Sequence, residues 1–318
     1  MTEFTESNGI LSVGRNIAEN SGKFARALRS RVSHIFEEAK LLGDEITGGG
    51  VGAVKAILTD ETVRARVAEA VFSASAFVGE RDSYGKLLDK KLDNFDAMCL
   101  CVALTENEKY TPRELAEFLL GPSDAPSGSD EKKIALLKNA QANRAFELFA
   151  ANIRDAMYVY EDNFSDACES VFEGRAKYAV IPTSSSSDGR LDGLYRTMEK
   201  YSLAIIMACD VVSPDGNSTR FALAGRPSSQ SFSGGRIKLE IKITLSDPSF
   251  LSEIFEAASF LGARTDAVDS LPDVFGRGNA FGMVFDIEGA DVTSLLTYLT
   301  LRFSQFVTVG IYPHITEE

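Results

Sequence analysis

A chain of 318 residues with 44% hydrophobic and 25% charged residues has the composition of a soluble protein of two or three domains, at roughly one to two hundred residues each. Its net charge of −13 argues against nucleic acid, whose phosphates dominate affinity, and gives no long-range steering toward an anionic ligand. No apolar run approaches the roughly 20 residues that cross a bilayer. The N-terminus, Met1-Thr2-Glu3-Phe4-Thr5-Glu6, lacks the basic and apolar regions of a signal peptide, so the expectation is a cytoplasmic protein without a membrane partner.

Residues 1–120 read as helical. Phe24, Leu28, Arg31, Ile35, Ala39 and Leu42 follow helical spacing, and Gly48-Gly49-Gly50 interrupts it. Thr59-Asp60-Glu61 starts a helix carrying Val63, Val67, Val71 and Phe72; a third segment holds Leu87, Leu88, Leu92 and Phe95. Thr111-Pro112 opens a fourth, because proline suits a first helical turn. The Gly-, Pro- and Ser-rich stretch from Gly121 to Asp130 marks a domain boundary.

Strands and helices then alternate. Strands are expected at 134–137, 157–160, 178–182 (stopping at Pro182), 203–212 and 219–223, with helices at 143–151, 164–174 and 191–201. The βαβαβ order predicts a mostly parallel sheet covered by helices. A second linker covers 227–235. Beyond it come strand 237–245, helix 250–261, strands 264–271 and 280–287, helix 292–303 and strand 306–312. The order βαββαβ predicts a ferredoxin-like unit.

Four scattered cysteines, Cys99, Cys101, Cys168 and Cys209, read as buried thiols, and His34 and His314 are too few for a zinc site or a Ser-His-Asp triad. Nothing implies a cofactor or a metal. The Gly48–Lys55 run lacks Gly-Lys-Ser/Thr spacing and a preceding strand, so it reads as a helix break and not as a phosphate loop.

Two stretches carry chemistry. Asn217-Ser218-Thr219-Arg220-Phe221 places a hydroxyl next to a guanidinium. Thr219 could assist a departing hydroxyl and Arg220 could grip a carboxylate. Ser184-Ser185-Ser186-Ser187, in a turn after a strand, offers hydroxyls and N–H groups to an anion.

These stretches resemble prephenate dehydratase, over roughly residues 133–315. The resemblance implies catalytic roles for Thr219 and Arg220, and substrate contacts from Asn217, Phe221 and Ser184 to Ser187. It implies dehydration and decarboxylation of prephenate to phenylpyruvate, in phenylalanine biosynthesis. The region 131–226 is similar to one periplasmic-binding-protein-like α/β lobe of that family. Residues 236–318 resemble its ACT domain, ending in Gly310-Ile311-Tyr312-Pro313. That likeness implies a homodimer and an effector site at Ser249, Phe250, Leu251, Asp269, Ser270, Leu271 and Pro272. Departures are evident. Ser184 and Ser185 replace a Glu-Asn pair, the loop Lys138–Asn143 lacks the family's glycines, and a second lobe expected between Gly189 and Asn217 is absent. The alternatives are a non-catalytic relative that binds a small carboxylate or aromatic amino acid, or dimerises, through its ACT-like unit, and a helical domain (1–120) of chorismate-mutase-like activity, with Lys23, Arg26, Arg29, Arg31 and Lys40 on one face.

Overall fold

The computed structural model describes residues 37, 39–46, 52–72, 94–120, 132–186, 189–190, 193–226, 235–272 and 279–316. The chain divides into two compact units, Met1–Val54 with Ala65–Glu108, and Lys55–Arg64 with Lys109–Glu318. The expected helix break at Gly48–Gly50, the segment with Leu87, Leu88 and Leu92, the first linker, and the second linker up to residue 234 lie outside the described residues.

Among the described residues, 39–46 are helical, and α1 (Ala53–Thr59), α2 (Glu61–Phe72), α3 (Asn94–Leu104) and α4 (Pro112–Leu120) follow before the sheet. Asp60 caps α2, its Oδ1 accepting from Thr62 N and Val63 N at 2.8 and 3.1 Å. Thr111 and Glu114 form a reciprocal cap on α4. In the first unit Leu42, Val67, Val71, Leu100 and Cys101 are fully buried.

The second unit is a mixed α/β structure around one sheet. Its elements are β1 (Lys133–Leu137), α5 (Ala140–Ala150), β2 (Met157–Glu161), α6 (Phe164–Phe172), β3 (Tyr178–Ser185), β4 (Gly189–Arg190), α7 (Leu194–Lys200), β5 (Ala204–Val212), β6 (Ser218–Gly225), β7 (Arg236–Leu245), α8 (Phe250–Phe260), β8 (Arg264–Leu271), β9 (Asn279–Asp286), α9 (Val292–Arg302) and β10 (Phe306–Ile315). The strand order is β2-β1-β3-β6-β5-β10-β7-β9-β8, with β4 on β3.

The sheet is not mostly parallel. Among the described residues, only the pairs β1–β2, β1–β3 and β5–β10 run parallel. A tight turn, with Ser213 N bonded to Asn217 O at 2.7 Å, folds β6 back along β5, and a short connection permits only an antiparallel pair. β6 thereby enters between β3 and β5. Nor does β3 stop at Pro182. A bulge between Pro182 and Ser184 absorbs the missing N–H, and the strand continues to Ser185.

Strand alternation gives the sheet two apolar faces. Ile134, Leu136, Val180, Phe221 and Leu223 pack against Ala142, Ala145 and Phe149 of α5. Ala135, Ala179, Ile181, Ala222 and Ala224 pack against α6 and α7 through Ala167, Val171, Leu194, Tyr195 and Met198. On β7, Leu239, Ile241, Ile243 and Leu245 are buried on one side, and Lys238, Glu240 and Lys242 alternate with them. Every α9 residue from Val292 to Leu301 is buried, as expected of a helix covered all round. Part of that cover comes from the lead into α4: Lys109 and Tyr110 hydrogen-bond Asp291, Ser294 and Thr293. β10 joins the strands into one sheet, antiparallel to β7 and parallel to β5 at His314–Ala208 and Ile315–Cys209.

Candidate functional site

Thr219 and Arg220 open β6. Neighbouring residues of an extended strand face opposite sides of a sheet. The register confirms the split: Thr219 shares a row with Ser185 and Val211, and Arg220 with Ser184 and Asp210. Thr219, 9% exposed, thus lies on the α5 face with Phe221. Arg220 lies on the α6–α7 face. Adjacent in sequence, the hydroxyl and the guanidinium are not side by side in space.

Arg220 is engaged. Its Nε donates to Asp210 Oδ1 at 2.9 Å and its Nη2 to Oδ2 at 3.5 Å. His314 Nε2 lies 3.0 Å from the same Asp210 Oδ2. Burial pushes the Asp210 carboxyl up, yet the hydrogen bonds from His314 and Arg220 outweigh it and hold the carboxyl well below the usual range. Burial likewise opposes the charge on Arg220, and Asp210 more than restores it. Asp210 and His314, 104 residues apart, carry no local sequence signal and were missed.

On the α5 face the expected residues partly converge. Asn139 caps α5, its Oδ1 accepting from Ala142 N at 2.8 Å. Gln141 Nε2 hydrogen-bonds Ser213 Oγ, tying α5 to the β5–β6 turn. Ser184 and Ser185 are strand residues paired with β4, not a turn leading into a helix. Ser186 meets the start of β6: Ser218 N donates to its Oγ at 3.0 Å, and its N–H donates to Ser218 O at 2.8 Å. Asn217 turns to Asp215, with Nδ2 to Oδ2 at 2.9 Å. Ser187 lies outside the described residues. One end of the sheet thus gathers hydroxyls and amides.

The α6–α7 face continues into a polar centre. Glu240, 2% exposed, accepts from Tyr195 Oη at 2.9 Å and Tyr312 Oη at 2.6 Å. Tyr195 reaches across from α7 to Gly282 of β9, where a Cβ would sit 2.3 Å from its Oη. Beyond it, Lys238 bridges Asp266 and Asp286, and Asp286 also accepts from Arg264 Nη2 at 2.7 Å. Among the described residues no group of His, Cys, Asp and Glu is arranged to hold a metal. All four cysteines are buried thiols, and burial pushes the Cys168 thiol up to about 12, which leaves it unreactive.

Ser249, Phe250 and Leu251 lie at the start of α8, and Asp269 to Pro272 at the end of β8. The registers Leu271–Ala280 and Thr244–Ala280 put both segments at one end of the sheet. Leu271 packs into the apolar cluster beneath α7. Beside Phe250 is a cleft of about 270 Å³ lined by Thr244, Leu245, Ser246, Arg302, Phe303, Ser304 and Gln305.

The fold is a mixed α/β sheet with helices on both faces, and among the described residues no helix is long and apolar enough to cross a membrane. No family model matches the chain, and no curated relative does. Solved structures similar to it include GqqA, a novel type of quorum-quenching acylase, at 18% identity and a TM-score of 0.48, covering 57% of this chain and 95% of that one. Prephenate dehydratase from Streptococcus mutans gives 19% and 0.48, covering 57% and 98%. Prephenate dehydratase from Arthrobacter aurescens in complex with L-Phe gives 15% and 0.44, covering 57% and 90%.

Proposed function

We propose that this chain is a non-catalytic relative of prephenate dehydratase, a ligand-binding or dimerising regulatory protein of aromatic amino-acid metabolism. The observation that carries this reading is the opposed placement of Thr219 and Arg220. Dehydration of a small dicarboxylate needs the hydroxyl and the cation on one substrate molecule. Here the sheet stands between them, and the guanidinium is already paired with Asp210, which His314 holds from its other side.

The strand order β10-β7-β9-β8 suits a ferredoxin-like unit of the ACT type, with domains at 1–120, 131–226 and 236–318. Its ligand would be a small carboxylate or an aromatic amino acid near Ser249, Phe250, Leu251 and Asp269 to Pro272. A homodimer is supported by the outer edge of β8 and by Val268, Phe255 and Phe260, which are 38%, 37% and 46% exposed. The dehydratase reading keeps one point in its favour, the grouping of Thr219 with Ser185 on the face that α5 covers. For the mutase-like alternative, Lys23, Arg26, Arg29 and Arg31 lie outside the described residues.

The test is an ultraviolet assay for phenylpyruvate from prephenate, run on the wild type and Thr219→Ala, beside thermal shift with phenylalanine and tyrosine. The expected result is no phenylpyruvate above background and stabilisation by one of the amino acids at millimolar concentration. Turnover abolished by Thr219→Ala would restore the dehydratase.

A further inference from the structure

Strand β2 closes the sheet at the end opposite β8, and among the described residues it pairs with β1 alone. It carries none of the features that keep an edge strand from pairing. Its five residues run in unbroken register along β1, without a bulge. Met157-Tyr158-Val159-Tyr160-Glu161 holds no proline and no lysine. Its one charge, Glu161, turns back to Ser170 and Arg175. Met157, Tyr158 and Tyr160 are 46%, 55% and 38% exposed. Tyr158 meets Phe146 of α5 edge-on at 5.5 Å and lies 4.9 Å from Tyr160, so an aromatic strip borders the open edge on the α5 face.

The backbone decides what can pair there. Met157 N–H donates inward, to Lys132 O at 2.7 Å. The N–H and C=O of one strand residue point to the same side, and the side alternates along the strand. Val159 and Glu161 therefore also face β1, while Tyr158 and Tyr160 each turn a donor and an acceptor to the outer edge. That pattern is its own complement. A second copy laid antiparallel about a two-fold axis at Val159 sets Tyr158 opposite Tyr160 of the second copy, and the reverse. Each is a hydrogen-bonded pair that exchanges two bonds, so all four outward groups of each copy are used.

Charge selects the same direction. At the start of β2, Arg154 (96% exposed) and Lys132 outweigh Asp155; Glu161 and Asp162 stand at its end. Antiparallel pairing brings basic end to acidic end twice, whereas parallel pairing brings like to like. The net charge of −13 opposes self-association at long range, but exposed charges more than roughly 8 Å apart are largely screened at physiological salt.

We propose that β2 is an interface for a second copy of this chain, joined edge to edge about Val159 into one sheet that continues through both copies. It does not rest on the regulatory reading, whose dimer uses β8 at the other end of the sheet.

The test is sedimentation velocity of the full-length protein over a wide concentration range at physiological salt, for the wild type and for Tyr158→Lys/Tyr160→Lys. The double variant sets lysine opposite lysine twice. Both tyrosines are exposed, so it should keep the wild-type melting temperature. The expected result is that it halves the wild-type assembly: dimer to monomer, or a larger species to a dimer where the β8 contact also forms. A second measurement reads the register. Across a non-hydrogen-bonded pair the Cα atoms stand about 4.5 Å apart, inside disulfide range. Val159→Cys should therefore cross-link two copies under mild oxidation, at least about tenfold faster than Tyr158→Cys, whose mates lie more than about 7 Å apart. A monomeric wild type overturns the proposal. So does an assembly that the double variant leaves unchanged, and so does cross-linking no faster at 159 than at 158. A wild-type dimer indifferent to the double variant would remove this interface and leave the β8 dimer standing.

Discussion

Replacing Gly282 with alanine tests how α7 is fastened to the sheet. The added Cβ would lie 2.3 Å from Tyr195 Oη and 2.8 and 2.9 Å from its Cε2 and Cζ. Those distances are far inside contact, so the tyrosine must withdraw. Overpacking of this kind costs about 1–3 kcal/mol. Withdrawal also breaks the 2.9 Å bond to buried Glu240, worth about 1.5–3 kcal/mol for a charged acceptor. The ring can relieve some of the first cost by sacrificing the second, so about 3 kcal/mol is expected. For a unit of this size that is a fall in Tm of roughly 6–12 °C. Tyr195→Ala alone should cost about 3–5 kcal/mol. The double variant should be no less stable than Tyr195→Ala, because the clash has gone. Urea unfolding followed by far-ultraviolet circular dichroism gives the four free energies. Additivity within about 0.5 kcal/mol would refute the reasoning, since uncoupled sites add to that tolerance.

Asp210→Asn should destabilise the protein at neutral pH, and the gap to wild type should close on acidification. The folded carboxyl sits below the ordinary aspartate value of 3.8, so its contribution is complete above that value and fades as pH falls through the lower folded one; a gap that widens in acid would contradict the assignment. Gly310→Ala should separate β10 from β5, because its Cβ would lie 2.6 Å from the Ile205 carbonyl oxygen and backbone cannot swing aside. A cost of at least about 2 kcal/mol is expected, and faster hydrogen exchange at the β5–β10 pairing would show where it falls. Asn139→Ala should cost about 1 kcal/mol through loss of the α5 cap, measured as a shift in the urea midpoint at unchanged m-value.

Much of the fold was legible because apolar period follows backbone period. The strands around Ile134–Leu137 and Ile237–Leu245 and the helices around Phe164 and Val292 showed in alternation and three-to-four spacing. Helix α5 begins three residues before the expected Asn143, since Asn139 caps it. Sheet direction was less legible. The sequence Ser213–Asn217 reads as loop, and only its closure reveals that β6 turns back along β5. Pro182 looked like a stop because a proline costs a ladder hydrogen bond; the bulge at Thr183, 2% exposed, absorbs that loss. The facing of Thr219 and Arg220 was not legible for a simpler reason. Thr219 and Arg220 are neighbours in the chain, and in a strand neighbours are the residues that cannot share a face. The partner Arg220 does have, Asp210, arrives from β5, and His314, which holds Asp210 in turn, arrives from β10. No window short enough to scan contains all three.

The position of β10 bears on how this chain is made. β5 reaches its outer neighbour only through residues about a hundred positions later, His314 and Ile315 against Ala208 and Cys209. At ribosomal rates of about 5–20 residues per second, its open hydrogen-bonding edge stands unpaired for roughly 5–20 s during synthesis. A nascent chain paused in that interval displays a bare strand, which makes this stretch the natural target for a chaperone and the first place for strand exchange between unfinished copies.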